Sequence, residues 1–235
     1  MSTATTAILL FSRRPGAEAR HKQVVPHDYT TSTRVAHVLQ EHTRRAVQQS
    51  GYPVIEHTEA VQRGTTFGER LAHAMASAFA AGYERVIAVG NDCPTLHDVD
   101  WASVDAHLAD GQPVLGPTPE GGTYLIGMRR DHFDAEAFAA LPWQSAHTGQ
   151  ALRRHLAILS GQPPVRLVPR SDVNTPGDLH ALVRCACTAP SSALLGKLCD
   201  ALGRRPEHGP LPPPSLKSTS YVRLQQARAP PVVRA

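Results

Sequence analysis

Short apolar runs alternate with longer segments in which apolar residues recur every three or four positions. Ala7–Phe11 is continuously apolar and is followed by polar residues, proline and glycine, a pattern typical of a strand buried on both faces. Thr33–Ser50 has helical spacing and ends before Gly51, and Pro53–His57 has the composition of a second strand. The chain therefore begins with a predicted strand, helix and strand.

The same alternation continues to about Ala186. Further strands are predicted at Arg85–Gly90, Pro113–Gly116, Thr123–Gly127 and Val165–Val168. Further helices are predicted at Phe67–Ala81, Asp100–Leu108, Asp134–Ala140, Ser145–Ser160 and Pro176–Cys187, and the segment after the first strand is predicted to be a loop. Alternating strands and helices indicate βαβ units, so we expect a Rossmann-like, doubly wound α/β domain with a mostly parallel sheet.

The composition changes near residue 204. Residues 1–203 are predicted to form the folded domain, whereas 204–235 is expected to be a disordered, partly polyproline tail that contains seven of the 20 prolines. The last 35 residues carry six basic side chains and one acidic side chain, which leaves 18 basic against 19 acidic in residues 1–200. The formal charge of +4 therefore belongs to the tail, whose partner the sequence does not identify.

The distributions of charged, apolar and cysteine residues restrict the partners and the cellular location that we expect for this protein. The basic residues of the tail are spread along the chain and form no compact basic face, so we expect no nucleic-acid partner. No segment approaches the roughly 20 apolar residues that span a bilayer. The four cysteines have no disulfide or zinc spacing, which favours a reduced compartment and a cytoplasmic location; they are Cys93, Cys185, Cys187 and Cys199.

The strongest candidate for chemistry follows the predicted strand Arg85–Gly90. Asn91 and Asp92 come directly after the strand, and Pro94 prevents its continuation. Ligands of open parallel sheets bind at the carboxyl ends of the strands, and a carboxylate there can hold Mg²⁺ or Mn²⁺. The alternative is that Asp92 only caps the next segment.

Two further segments carry polar groups to the same edge. Glu120 precedes Gly121 and Gly122, where backbone can approach a ligand closely; the alternative is a plain hairpin turn. Asp172 or Asn174, after the late strand, can supply another oxygen ligand; the alternative is that Asn174 or Thr175 caps the next helix ahead of Pro176.

The loop after the first strand carries one further candidate. Lys22 could pair with a phosphate, although a lone loop lysine is more often simply solvated. The 13 histidines form no ligand pair on one helix face, and no nucleophile elbow or P-loop is present.

Together these segments resemble a family of GT-A-like transferases grouped as domain of unknown function 2064, related to the molybdenum-cofactor and coenzyme F420 nucleotidyltransferases. Gly90-Asn-Asp-Cys-Pro94 is similar to the Gly-x-Asp-Cys-Pro of that family. Leu115–Gly127 is similar to its Leu-Gly-Pro-x-x-Asp-Gly-Gly-x-Tyr-Leu-Ile-Gly, and Asp172–Asp178 to its closing motif. Gln62-Arg-Gly64, Phe67-Gly-Glu-Arg70 and Trp143 match further family positions.

The resemblance implies a nucleotide-diphospho-sugar transferase fold and a set of site residues. Asp92, Asp172 and Asn174 would hold Mg²⁺ or Mn²⁺, and Asp92 and Glu120 would be catalytic. Gly121, Gly122 and Trp143 would line the donor or acceptor pocket. The nucleotide would contact Ser12, Arg13, Lys22, Gly64, Gly68, Arg70 and Asn91.

Three positions depart from the family pattern. The family has Lys-Thr-Arg-Leu where this chain has Lys22-Gln-Val24, so only the lysine carries over. Glu120 stands where the family has Asp, and Asn174 replaces a second Asp and removes one negative charge from the expected metal site. Trp143, for its part, is explained by core packing as readily as by sugar stacking.

Three functions compete at this point. The leading hypothesis is a metal-dependent transferase that binds a nucleotide sugar and a small-molecule acceptor. The alternatives are a nucleotidyltransferase that releases pyrophosphate, and a non-catalytic nucleotide-binding or interaction protein that recruits a partner through its tail. The same strand ends would serve all three, because a fold positions a nucleotide without fixing its reaction.

Overall fold

The computed structural model describes residues 5–186 and 193–203, which form a mixed sheet with helices on both faces. The predicted tail 204–235 and Cys187 lie outside the described residues, so the division at residue 203 stays a prediction. The sheet has six strands in the order β2-β1-β3-β5-β4-β6. The strands are β1 Thr6–Phe11, β2 Val54–His57, β3 Arg85–Val89, β4 Val114–Pro117, β5 Thr123–Arg129 and β6 Val165–Arg166.

Strand directions confirm the predicted mostly parallel α/β fold. Strand β1 pairs in parallel with β2 and β3, and β4 pairs in parallel with β6. Only β5 runs against its two neighbours, β3 and β4. A short turn joins β4 to β5, and a short turn allows only an antiparallel return, whereas parallel neighbours need a long crossover.

Eight α-helices lie within the described residues. They are α1 Pro15–Lys22, α2 Tyr29–Gln48, α3 Phe67–Ala80, α4 Trp101–Ala109, α5 Ala135–Ala139, α6 Thr148–Ser160, α7 Pro176–Ala186 and α8 Ala193–Ala201. Six of them confirm predicted helices, with ends that shift by a few residues because caps, more than hydrophobic spacing, set the boundaries. Helix α2, for example, begins four residues earlier than predicted because Asp28 accepts a hydrogen bond from the Thr31 amide.

Alternation along the strands divides the core between the two faces of the sheet. Leu9 on β1 packs in one cluster with helices α3, α5 and α6, while its neighbours Ile8 and Leu10 pack on the other face with α4. A third apolar cluster joins α2 to α7 and α8 and includes Val24 and Val173. Both faces of the sheet are covered, as its continuous apolar strands require.

The prediction of a loop at Lys22 was wrong, because Lys22 is the last residue of helix α1. The helix begins with Pro15 in its first turn and buries only Glu18 and Ala19. A helix with so small an apolar face has no hydrophobic period to detect, and its position comes from packing against α2.

No helix in the two described segments is long and apolar enough to cross a membrane.

The structure generates a paired prediction for two helical glycines. A Cβ on Gly68 in α3 would lie 2.2 Å from the Ala139 carbonyl oxygen, whereas a Cβ on Gly196 in α8 would meet nothing within 4 Å. Alanine favours a helix interior by about 1 kcal/mol over glycine, but overpacking costs about 1–3 kcal/mol. We expect Gly196→Ala to raise the free energy of unfolding in urea and Gly68→Ala to lower it. Equal effects of the two substitutions would contradict the packing at Gly68.

Candidate functional site

A cleft of about 510 Å³ lies at the edge of the sheet where β1, β3 and β4 end. Eleven of the residues expected at the site from the sequence line it: Ser12, Arg13, Lys22, Arg70, Asn91, Asp92, Glu120, Gly122, Trp143, Asp172 and Asn174. Gly64, Gly68 and Gly121 are not among the lining residues. Topology therefore gathers in one cleft residues that are up to 162 positions apart in the chain, from Ser12 to Asn174.

A lysine and an aspartate meet at the centre of the cleft. The Lys22 Nζ lies 2.6 Å from Asp92 Oδ2 and 2.8 Å from Glu18 Oε1, and it donates to the Val173 carbonyl oxygen at 3.3 Å. Burial alone would lower the pKa of Lys22, but the two carboxylates outweigh it and raise the pKa above its ordinary value. The lysine therefore keeps its positive charge in the cleft.

Glu18 is a site residue that the sequence reasoning missed. It lies one helical turn before Lys22 on α1 and also accepts from the Arg13 guanidinium at 3.4 Å. The spacing of four residues is the signal that could have found it, but that signal has meaning only once the segment is known to be a helix. Glu18 is buried and holds both cations of this wall in place.

Asp172 is the most perturbed carboxyl group of the cleft. Burial, followed by the negative charge of Asp92, raises the pKa of Asp172 to about 8, and Lys22 offsets only part of this. Its Oδ1 is buried and has no hydrogen-bond partner within the part of the chain that the structure describes. The backbone holds the two aspartates in register, because the Val173 amide donates to the Asp92 carbonyl oxygen at 2.8 Å. The cleft thus contains a desolvated acidic pair with one unsatisfied oxygen.

The acidic pair fits a hard divalent cation. No group of three or more histidine, cysteine, aspartate or glutamate side chains within residues 5–186 and 193–203 is arranged to hold a metal by itself. Mg²⁺ commonly takes only one or two protein carboxylates and completes its shell with phosphate and water. The orphaned oxygen of Asp172 is the position where such an ion would repay the cost of burying a carboxylate.

Cys93 follows Asp92 but has no nucleophilic role. Burial, and then the charges of Asp172 and Asp92, raise the pKa of the Cys93 thiol to about 12. A thiol with that pKa stays protonated near neutral pH and is a poor nucleophile.

Two buried or half-buried side chains fix the loop after β1, which carries Ser12 and Arg13. Gln62 Nε2 donates to the carbonyl oxygens of Ser12 and His57, both at 2.9 Å. Gln40 Nε2 donates to Ser12 Oγ at 3.4 Å. The loop therefore presents a pre-organised wall to the cleft, with the Arg13 guanidinium held near Lys22 by their shared partner Glu18.

The hairpin between β4 and β5 forms the opposite wall. Gly121 has φ +87°, and a Cβ there would lie 2.2 Å from the Ala146 carbonyl oxygen. Gly149 at the start of α6 donates its amide to the Gly121 carbonyl oxygen at 2.8 Å. Gly121 thus docks the hairpin against the segment before α6, while Glu120 and Gly122 line the cleft. The two alternatives predicted for this segment, a hairpin turn and a ligand-lining backbone, therefore describe the same structure.

Of the remaining predicted residues, Trp143 and Arg70 line the cleft, whereas Gly64 and Gly68 shape the structure around it. Trp143 lines the cleft, packs 5.6 Å from the Phe67 ring between ring centroids, and donates its Nε1 hydrogen to the Phe138 carbonyl oxygen at 2.8 Å. Gly68 gives Trp143 room, since a Cβ there would approach Trp143 Cδ1 to 2.5 Å.

Gly64, at φ +122°, shapes the turn before α3. Arg70 donates to the Thr65 carbonyl oxygen at 2.9 Å, so its charge faces the cleft rim.

A family model described as "Uncharacterized protein conserved in bacteria (DUF2064)" matches residues 22–145, which is more than half of the chain. The chain belongs to this family. The matched range contains Lys22, Asp92, Glu120 and Trp143, while Asp172 and Asn174 lie beyond its end. The family match thus covers Asp92, and the structure places Asp172 beside it.

Among solved structures, the chain is similar to a candidate nucleotide-diphospho-sugar transferase from Desulfovibrio desulfuricans G20. The two are 25% identical with a TM-score of 0.68, over 85% of this chain and 97% of that one. This likeness confirms the expected GT-A-like fold.

Other similarities are weaker. A glycosyltransferase involved in the glycosylation of the major capsid of PBCV-1 is 13% identical, with a TM-score of 0.42 over 69% of this chain and 80% of that one. A CMP:2-keto-3-deoxy-manno-octonic acid synthetase complexed with CTP is 11% identical, with a TM-score of 0.38 over 78% and 99%. At these scores neither likeness supports a conclusion about this chain. No curated protein matches its sequence.

The raised pKa of Asp172 predicts a pH-dependent stability. The folded carboxyl group holds its proton up to about pH 8, whereas its ordinary pKa is 3.8, so folding binds a proton between these values. We expect the free energy of unfolding of the unsubstituted protein (the parent), minus that of Asp172→Asn, to fall as pH rises from 5 to 8. The fall is at most about 1.4 kcal/mol per pH unit.

Urea titrations in EDTA across this pH range would measure the difference. Asp110→Asn, an exposed carboxylate at the end of α4, is the matched control and is expected to follow the parent. Parallel curves for the parent and Asp172→Asn would show that Asp172 is ionised in the fold.

Proposed function

We propose that this chain is a metal-dependent transferase that uses a nucleotide-diphosphate donor, in the form of a nucleotide sugar. The observation that carries the proposal is the half-buried pair Asp92 and Asp172, with a buried, orphaned Asp172 oxygen and the Lys22 ammonium beside it, at the strand ends of a GT-A-like sheet. The likeness to a candidate nucleotide-diphospho-sugar transferase supports the choice of donor.

The donor's diphosphate would lie against the cationic wall. Lys22 and Arg13 share the partner Glu18, and Arg70 stands at the rim, so positive charge lines the route by which an anion would enter. The buried Ser12 and Asn91 lie at the ends of β1 and β3, where they would contact the nucleoside. Glu18 holds the Arg13 side of this wall in place before the ligand arrives, which lowers the entropic cost of binding.

Asp92 and Asp172 would hold Mg²⁺ or Mn²⁺, with Asn174 as a neutral oxygen ligand at the same edge. When bound, the ion would neutralise charge on the departing diphosphate. Asp172 would give up its proton to take part, and the orphaned Oδ1 would then have a partner. With one negative charge fewer than the family pattern, the site depends on the diphosphate to complete the ion's shell.

Glu120 would act on the acceptor. Its exposed carboxylate stands on the hairpin that lines the cleft. The acceptor hydroxyl oxygen would bond to the sugar's anomeric carbon while the bond from that carbon to the phosphate oxygen breaks. The hydroxyl proton would pass to Glu120, and the nucleoside diphosphate would leave with the bonding electrons.

Nucleotidyl transfer is the second candidate. The same acidic pair and ammonium would serve it, because that reaction also expels a phosphate leaving group, in this case pyrophosphate. The two reactions differ in which bond of the donor lies beside Glu120, and their products differ accordingly.

The first test is isothermal titration of a panel of nucleotides and nucleotide sugars, with and without Mn²⁺. We expect at least one nucleotide sugar to bind the parent more tightly with Mn²⁺, and Asp92→Asn to weaken that binding by roughly tenfold or more, since each tenfold is about 1.4 kcal/mol. Asp110→Asn is expected to bind as the parent does. Failure of every member of the panel to bind the parent would favour the non-catalytic alternative.

The second test identifies the products. The parent is incubated with the bound nucleotide sugar, Mn²⁺ and a panel of small hydroxyl compounds, and phosphorus NMR is expected to show release of nucleoside diphosphate. Glu120→Gln is expected to bind the donor normally but to turn over about 100- to 10,000-fold more slowly, the usual range for loss of a general base. Pyrophosphate release from a nucleoside triphosphate would instead establish nucleotidyl transfer.

A further inference from the structure

The ammonium of Lys22 has every donor matched within the cleft. A lysine ammonium has three N–H donors and no acceptor, and three oxygens surround this one: Asp92 Oδ2 at 2.6 Å, Glu18 Oε1 at 2.8 Å and the Val173 carbonyl oxygen at 3.3 Å. The side chains of Lys22, Glu18 and Asp92 are only 13%, 9% and 25% exposed. The cleft therefore contains an internal monovalent cation with a complete set of ligands.

The Lys22 ammonium is paired with Asp92, which is one of the two carboxylates that the proposed function assigns to the metal. Asp92 Oδ2 is already paired with Lys22, whereas the neighbouring Asp172 has an oxygen with no partner. A divalent ion bound by both aspartates would stand within a few ångströms of the ammonium, and two like charges at that separation repel strongly in a partly desolvated site. Metal at Asp92 and the observed position of Lys22 are therefore mutually unfavourable.

Lys22 has a second set of partners within reach. It is the last residue of α1, its flexible four-carbon stem lines the cleft, and a diphosphate there would offer several anionic oxygens. Glu18 would keep a cationic partner if Lys22 moved, because the Arg13 guanidinium lies 3.4 Å from its other carboxylate oxygen. Departure of Lys22 towards a diphosphate would thus free Asp92 without leaving Glu18 unpaired.

We infer that Lys22 is an internal counter-ion that makes metal binding depend on the diphosphate donor. Without a donor the ammonium holds Asp92 and keeps metal affinity low. A bound diphosphate draws the ammonium away and opens Asp92 to the metal. The apparent affinity for metal is proportional to the fraction of molecules in which Asp92 is free. A donor that raises this fraction therefore binds cooperatively with the metal. The inference rests on the proposed function.

The test compares the parent with Lys22→Met, which removes the charge and keeps the length of the stem. Each probe is titrated alone, so that metal and phosphate do not chelate one another: Mn²⁺ by electron paramagnetic resonance, and inorganic pyrophosphate by calorimetry in EDTA. Lys22→Met is expected to bind Mn²⁺ tighter, and pyrophosphate weaker, by roughly tenfold or more in each case. These opposite shifts are the signature of an internal competitor for metal.

Three further variants keep the test interpretable. Lys22→Arg retains the charge and is expected to leave Mn²⁺ affinity near that of the parent. Arg20→Met removes a cation from the exposed side of α1, where Arg20 stacks on Tyr29 and does not line the cleft, and is expected to change neither affinity. Lys22→Gln replaces Lys22→Met if a thermal melt shows that the latter does not fold.

Mn²⁺ affinity that is unchanged or weaker in both Lys22→Met and Lys22→Gln would overturn the inference. This failure is distinct from failure of the proposed function. In the first case nucleotides still bind the parent with Mn²⁺ and only the role of Lys22 is wrong, whereas in the second no nucleotide binds at all.

Discussion

The half-buried contact between Lys22 and Asp92 is the interaction on which the candidate site depends. It joins the last residue of α1 to the end of β3, and the hydrogen bond from Lys22 to the Val173 carbonyl oxygen adds the segment before α7. Removing one partner of the pair would leave an uncompensated charge in a partly desolvated cleft. Three of the segments that line the cleft are therefore held together by the charges that give it its chemistry.

The same arrangement balances the charges of the cleft wall, because the two cations Lys22 and Arg13 face the two carboxylates Glu18 and Asp92. Asp172 stands next to Asp92 in a desolvated position, and its proton spares the fold a second unpaired negative charge. The negative charge of this acidic pair is balanced by a proton on Asp172 and by the Lys22 ammonium, and another cation could replace either of them. Such a pair is suited to a reaction in which negative charge enters and leaves, as it does when a diphosphate binds and departs.

Elsewhere in the cleft, the same residues both pack the protein core and shape the cleft surface. Trp143 closes the apolar core between Phe67 and Phe138 and still presents a face to the cleft. Gly121 docks the β4–β5 hairpin against the start of α6, and the docked hairpin carries Glu120 on the lining of the cleft. Substitution of such residues would therefore alter stability and binding together, whereas Lys22, Asp92 and Glu120 carry charge that packing alone does not require.

The sequence by itself determined the α/β architecture and the strand ends that carry chemistry, because continuous apolar strands and the motif around Asp92 are local signals. It did not reveal α1 or the role of Glu18, since a helix with a small apolar face has no period to detect. Only the tertiary structure decided that Lys22 contacts Asp92 across 70 positions of chain, and that Asp172 lies half-buried beside them with a buried Oδ1. These facts depend on the electrostatic environment of a cleft, which exists only once distant strand ends have been brought together.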